Sequence, residues 1–267
     1  MIIGPDKLLP MNRIDALFQQ VKTPVLNIYF TAGFPSLQDT RTVLKAIQKG
    51  GAHIVEIGMP YSDPIADGET IQQSNQKALD NGMSLQVLFD QLKGMRDEIS
   101  VPVVLMGYLN PVVQMGIETF CQKCQEVGVD GLIIPDLPVE EYHEEYKAIF
   151  DRYGLINIFL ITPQTSEVRI RRIDEISSGF IYMVSSASVT GSTSGITPEM
   201  EAYFNRVNQM NLKNPRLIGF GIKDQETFGQ ASQHASGAII GSQFIRVLEQ
   251  ASNLEEDIVA YIQSVRG

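Results

Sequence analysis

Val103-Val104-Leu105-Met106 and Leu132-Ile133-Ile134 are apolar at every position. A strand with one wet face alternates apolar and polar residues. A strand buried on both faces reads as an unbroken apolar run, and parallel sheets covered by helices produce such strands. Working outward from these two, similar runs bounded by Gly, Pro, Asp or Asn occur at 25–30, 53–58, 101–106, 131–135, 156–161, 180–185, 216–220 and 238–240. Their starts are separated by 28, 48, 30, 25, 24, 36 and 22 residues, which leaves room for a turn, a helix and a second turn. Helical patterns fill several gaps. Ser36 precedes Leu37, Val43, Leu44 and Ile47, an apolar stripe that stops at Gly50-Gly51. Ser84 opens a helix carrying Leu85, Leu88, Leu92 and Met95. Thr197-Pro198-Glu199 supplies a cap, a first-turn proline and an acid at the positive end of the helix dipole. Residues 139–153 continue the pattern, with charges on the open face.

Eight strands alternating with helices close in one of two ways. A doubly wound sheet usually has fewer strands and a G-x-G-x-x-G turn after the first, and no such turn follows Phe30. Eight units in 267 residues fit a (β/α)8 TIM barrel. The expected fold is therefore α/β, a single barrel over 11–267 with an N-terminal helix. Residues 1–10 are read as an extension, with Met11 an alternative start. The two long gaps, after the second and sixth strands, imply extended loops 2 and 6 on the face where barrels carry their active sites.

Composition narrows the function classes. A net charge of −10 argues against a nucleic-acid binder, though not against a local anion pocket. No apolar run reaches the roughly 18 residues of a membrane span, and the N-terminus lacks a signal-peptide pattern. The expected location is cytoplasmic. Cys121 and Cys124 sit in a helix-like stretch with no second pair, and the three histidines are scattered. Helix packing is the favoured reading of the cysteines, ahead of zinc or redox chemistry.

Function concentrates at the strand ends. Glu56 interrupts the apolar run His53-Ile54-Val55-Glu56-Ile57-Gly58. Burial there would raise its pKa and let it give or take a proton near neutrality. The competing reading is a carboxylate held by structural hydrogen bonds. Asp63 and Asp67 follow in a loop stiffened by Pro60 and Pro64; taken alone, ordinary turn chemistry is the favoured explanation of them. Gly219-Phe220-Gly221 and Gly241-Ser242 end the last two strands, where glycines and a helix start suit a phosphate. Loop 6, residues 185–195, is small and polar, as a closing lid or a loose surface loop would be.

Together these strings resemble the alpha subunit family of tryptophan synthase. The likeness is carried by Val55-Glu56-Ile57-Gly58-Met59-Pro60-Tyr61-Ser62-Asp63-Pro64-Ile65-Ala66-Asp67-Gly68. It continues at Tyr29-Phe30-Thr31-Ala32-Gly33, Met106-Gly107-Tyr108-Leu109-Asn110-Pro111, Pro135-Asp136-Leu137-Pro138, Val189-Thr190-Gly191, Gly219-Phe220-Gly221-Ile222 and Gly241-Ser242. The resemblance implies retro-aldol cleavage of indole-3-glycerol phosphate to indole and glyceraldehyde 3-phosphate, with no cofactor in this chain. It implies Glu56 as general acid/base and Asp67 as the carboxylate that accepts the indole N–H. Phe30 and Tyr108 would line the indole pocket. Gly191, Gly221, Gly241 and Ser242 would bind phosphate, and Thr190 would belong to the lid. The implied partner is the pyridoxal-phosphate beta subunit in an αββα complex, with indole passing through an internal tunnel. Two departures stand out. Glu69 replaces a proline found in many members, and Ser186-Ala187-Ser188 replaces an Arg-x-Gly segment. The competing functions are another phosphate-binding barrel, a free-standing indole-releasing lyase, and a non-catalytic regulatory barrel.

Overall fold

A computed structural model describes residues 11–64, 67–184, 196–219 and 221–267. Nine parallel strand segments form one sheet: β1 Val25–Thr31, β2 Ile54–Gly58, β3 Val103–Met106, β4 Gly131–Ile133, β5 Ile156–Ile158, β6 Leu160–Ile161, β7 Ile181–Val184, β8 Arg216–Gly219 and β9 Gly237–Ile240. Their order is β5-β4-β3-β2-β1-β9-β8-β7-β6. The two ends of that order are consecutive in sequence, so the sheet is a barrel. Its fifth strand is in two pieces, β5 pairing with β4 and β6 with β7. Barrel strands are staggered relative to their neighbours, so one stretch of a strand faces one neighbour and the next stretch faces the other. Tyr182 N donates to Phe159 O at 2.9 Å across the seam.

The strands are shorter than the apolar runs where proline intervenes. Pro102 lacks an N–H for the ladder, and β3 starts at Val103. β4 stops at Ile133, before Pro135. The helix patterns are present. Ser84 accepts from Val87 N, Thr197 accepts from Met200 N with Pro198 in the first turn, and Gly51 closes Thr40–Gly50 at φ 97°. The long gap after β2 holds two helices, Glu69–Asp80 and Leu85–Leu92, so loop 2 proper is confined to 59–68. Loop 6 lies outside the described residues. The segment 139–152 is helical but passes through a π-helical stretch at Tyr142–Tyr146. Cys121 and Cys124 are buried in the helix Ile117–Val127, as packing residues are.

Two apolar layers result from strand alternation. One lies between strands and helices. The other fills the barrel and contains Val25, Ile54, Val104, Ile133, Ile156, Ile158, Phe180, Leu217 and Ile239. The expected N-terminal helix is Arg13–Gln20, capped by Asn12, and its Ile14 is wholly buried in this inner layer. Side chains at Gly131 or Gly179 would crowd Ile14, with a Cβ at either lying 3.1 Å from one of its carbons. Asp130 holds the helix from below, accepting from Arg13 Nη1 at 2.9 Å, Arg96 Nη2 at 2.5 Å and Val103 N at 2.8 Å. Ile14→Ala is expected to destabilise the fold by about 2–5 kcal/mol in urea unfolding, through lost burial and the cavity left behind.

Candidate active site

The strand register sets the site. Glu56 pairs with Tyr29 of β1 and Val104 of β3. Alternation turns Asn27, Tyr29 and Thr31 of β1, Glu56 and Gly58 of β2, and Tyr182 of β7 toward the barrel interior. Two close approaches confirm the direction. A Cβ on Gly58 would lie 2.1 Å from the Tyr29 hydroxyl, and one on Gly219 would lie 2.3 Å from the Tyr182 hydroxyl. The glycines ending β2 and β8 thus leave space that two tyrosine tips occupy.

Glu56 is wholly buried. Its Oε1 accepts from Asn27 Nδ2 at 2.5 Å, while Oε2 has no hydrogen-bond partner among the described residues. Burial pushes its pKa up to about 8, against the lowering effect of the Asn27 amide. Asp130 offers the contrast. It is equally a carboxylate among strands, but two guanidinium groups and a backbone N–H saturate it at the opposite end of the barrel. A carboxylate with one neutral partner and a free oxygen is equipped for proton transfer; a saturated one is structural.

Asp67 sits at the end of loop 2, partly buried. Gln72 Nε2, from the helix that follows, donates to the carbonyls of Asp67 at 2.8 Å and Pro64 at 3.3 Å. That helix is itself tied to the barrel, with Ser74 Oγ 2.7 Å from Thr31 Oγ1. The Asp67 carboxylate accepts from the Tyr108 hydroxyl and from Asn75 Nδ2, the latter at 3.4 Å. Burial raises its pKa to about 6, and these two hydrogen bonds oppose the rise. Burial, reinforced by the charges of Asp67 and Glu56, holds the Tyr29 and Tyr182 phenols protonated far above their ordinary range.

Tyr108 lies in this group, its ring centroid 5.3 Å from that of Tyr61 on loop 2. Phe30 does not join it. As the neighbour of Tyr29 it points the other way, into the layer between strands and helices, and is wholly buried there. Of the two adjacent aromatics, it is Tyr29 that faces this group. Gly241 caps the helix Ser242–Gln250 and packs beside Tyr29 and Ile71, so that helix starts at the same mouth. Gly221 is exposed in the loop after β8, at φ 79°. Thr190 and Gly191 lie outside the described residues. Asn27, Tyr29, Asn75 and Tyr182 were not anticipated as site residues; for Asn27 and Tyr29 the signal was the polar parity of Asn27, Tyr29 and Thr31 in an otherwise apolar run.

Glu69 is the first residue of its helix, after Gly68, and accepts from Gln73 Nε2 at 3.1 Å. Proline and acidic residues both suit that position, so this departure preserves the helix start.

Two carboxylates in unlike environments at the C-terminal mouth of a (β/α)8 barrel are the layout that acid–base enzymes of this fold use. Residues 16–266 match the family model described as tryptophan synthase alpha chain. The tryptophan synthase alpha chain of Christiangramia forsetii is 56% identical over 257 residues, covering 96% of this chain and 99% of that one. That of Flavobacterium johnsoniae is 57% identical over 243 residues, covering 91% and 96%. Among solved structures, tryptophan synthase subunit alpha from Legionella pneumophila superposes with a TM-score of 0.87 at 32% identity, over 96% of this chain and 98% of that one. A tryptophan synthase complex from Pyrococcus furiosus gives 0.81 at 32%, over 90% and 97%. The chain belongs to the tryptophan synthase alpha chain family, and is a lyase of tryptophan biosynthesis that catalyses the alpha reaction. No helix among the described residues is long and apolar enough to cross a membrane.

Proposed function

We propose that Glu56 and Asp67 carry out the retro-aldol cleavage of indole-3-glycerol phosphate between them. The observation that carries this reading is their unequal environment: Glu56 is wholly buried with one neutral partner, while Asp67 lies in loop 2 and accepts from Tyr108 and Asn75. Burial accordingly favours a protonated Glu56 and the hydrogen bonds an ionised Asp67 near neutrality. Glu56 gives its proton to the indole ring carbon that bears the glycerol chain, forming a cationic indolenine. Asp67 accepts the indole N–H and stabilises that cation electrostatically. Glu56, now a carboxylate, takes the proton of the adjacent glycerol hydroxyl. The carbon–carbon bond breaks, its electrons restore the indole ring, and the hydroxyl oxygen becomes the aldehyde of glyceraldehyde 3-phosphate. Glu56 ends as it began, protonated. Tyr29 and Tyr108 line the indole pocket. The phosphate is held by the Gly241-Ser242 helix start, with its backbone N–H groups and positive dipole end, and by Gly221 and Gly191. Thr190 belongs to the lid.

The activity then needs Glu56 protonated and Asp67 ionised together. Its pH profile is a bell, with an acid limb near 6 set by Asp67 and an alkaline limb near 8 set by Glu56.

The partner is a pyridoxal-phosphate beta subunit, docking on the mouth in an αββα assembly in the cytoplasm. A tied surface supports this reading. Asn110 Nδ2 donates to the Tyr61 hydroxyl at 3.3 Å, Asp136 accepts from Leu109 N at 3.0 Å, and Val113 on the same helix is 49% exposed. The test is to incubate the purified chain with indole-3-glycerol phosphate and measure indole with and without beta subunit. Indole formation is expected to rise strongly with partner. Fast release without partner would indicate a free-standing lyase, and no indole in either case would reject the reading.

A further inference from the structure

Among the described residues, Asn27 is the one hydrogen-bond partner of Glu56. It is wholly buried on β1, and its strand partners on either side are Ile54 and Ile239. An amide in such surroundings costs free energy unless bonded, yet its Oδ1 has no partner among the described residues either. A leucine or valine would fill this layer without that cost. The amide's one bond goes to the proposed acid/base.

We propose that Asn27 is a positioning residue for the cleavage: its N–H fixes Glu56 Oε1 as an acceptor, so that Oε2 is the oxygen that carries the transferred proton. This rests on the assignment of Glu56 as acid/base. An amide N–H can bond an unprotonated carboxyl oxygen but not the O–H of an acid. With Oε1 so occupied, the proton resides on Oε2, the oxygen left without a partner. The bond survives loss of that proton and strengthens when Glu56 becomes anionic. It therefore orients the carboxyl group in both halves of the reaction and offsets part of the cost of ionising it in an apolar barrel.

The titratable groups whose charges couple to this site are Tyr29 from β1, Tyr182 from β7 and Asp67 from loop 2, with Tyr108 bonded to Asp67. The phenols stay protonated across the working range, so they do not account for a limb near neutrality.

Asn27→Leu removes the donor. We expect kcat to fall about 10–100-fold, KM to stay within about 2-fold, and the alkaline limb to move up by about one pH unit. Asn27→Asp is nearly isosteric and donates only when protonated. Its activity is expected to recover toward acid pH and to collapse where the added carboxyl ionises. Infrared titration of the Glu56 carboxyl in the substrate-free chain, assigned by its absence in Glu56→Gln, gives the same shift without turnover. A fall in kcat with the limb and the carboxyl titration unmoved would make Asn27 a packing residue and overturn the proposal. If Asn27→Leu fails to fold, Asn27→Asp decides alone. Full cleavage by Glu56→Gln would instead overturn the acid–base assignment itself, whatever the Asn27 variants do.

Discussion

Glu56→Gln is expected to lower kcat for indole-3-glycerol phosphate cleavage by about a thousandfold or more, at the upper end of what one acid–base group supplies. Glutamine keeps the shape of the side chain, and its amide oxygen can still accept from Asn27. It has no proton to give the ring carbon and is no base for the glycerol hydroxyl, so both halves of the reaction lose their agent. Substrate binding should persist, because the phosphate and indole contacts lie elsewhere; equilibrium binding beside single-turnover kinetics separates the two. The same variant carries a stability signature. The Glu56 pKa rises from an ordinary 4.5 in the unfolded chain to about 8 in the folded one. Between those values the folded state binds the extra proton, so this group makes wild-type stability fall as pH rises through that window. Glu56→Gln has no such proton to lose. Urea unfolding at pH 5 and pH 9 should show the variant gaining on the wild type at the higher pH. Equal pH dependence in both proteins would mean that Glu56 is ionised as readily in the fold as outside it.

Asp67→Asn is expected to lower kcat about a hundredfold, with KM changed little. Asparagine can accept the indole N–H through its amide oxygen, so the substrate is still oriented. What disappears is the negative charge facing the cationic indolenine, a contribution that exists mainly in the transition state and intermediate and therefore acts on kcat. The pH profile distinguishes this loss from general damage. The acid limb near 6 should vanish while the alkaline limb near 8 remains. A variant that keeps both limbs at reduced height would remove Asp67 from the chemistry.

The barrel was legible because its strands are buried on both faces, and that burial writes unbroken apolar runs into the sequence. Glu56 stood out for the same reason, as a carboxylate inside such a run, although a structural carboxylate would have read the same. Asp67 was recovered only through a long string of family-like residues, because an Asp-Gly pair in a proline-bounded loop reads as a turn. The facing of Phe30, away from Glu56, was not legible because residue type was read without parity. Tyr29 and Phe30 are adjacent aromatics, and only the pairing of Tyr29 with Glu56 fixes which one faces inward. Asn27 shares that parity with Tyr29 and Thr31, but three polar-capable residues among Val25, Leu26, Ile28 and Phe30 still read as one apolar run. The split of the fifth strand at Phe159 left no mark on 156–161, because it comes from the stagger of the neighbours and not from local preference. The pairing of Gly58 with Tyr29 and of Gly219 with Tyr182 is likewise invisible in a linear reading, since each joins residues brought together by closure.

Ile14, seated between Gly131 and Gly179, has a consequence for the barrel's own integrity. It makes the N-terminal helix one of the walls of the inner layer, so that helix cannot be lost without opening the barrel's packing. The opposite end is where loop 2, Tyr108 and the start of the Ser242–Gln250 helix stand. A reader of the sequence would take the N-terminal helix for a simple lead-in, yet it is part of the inner packing.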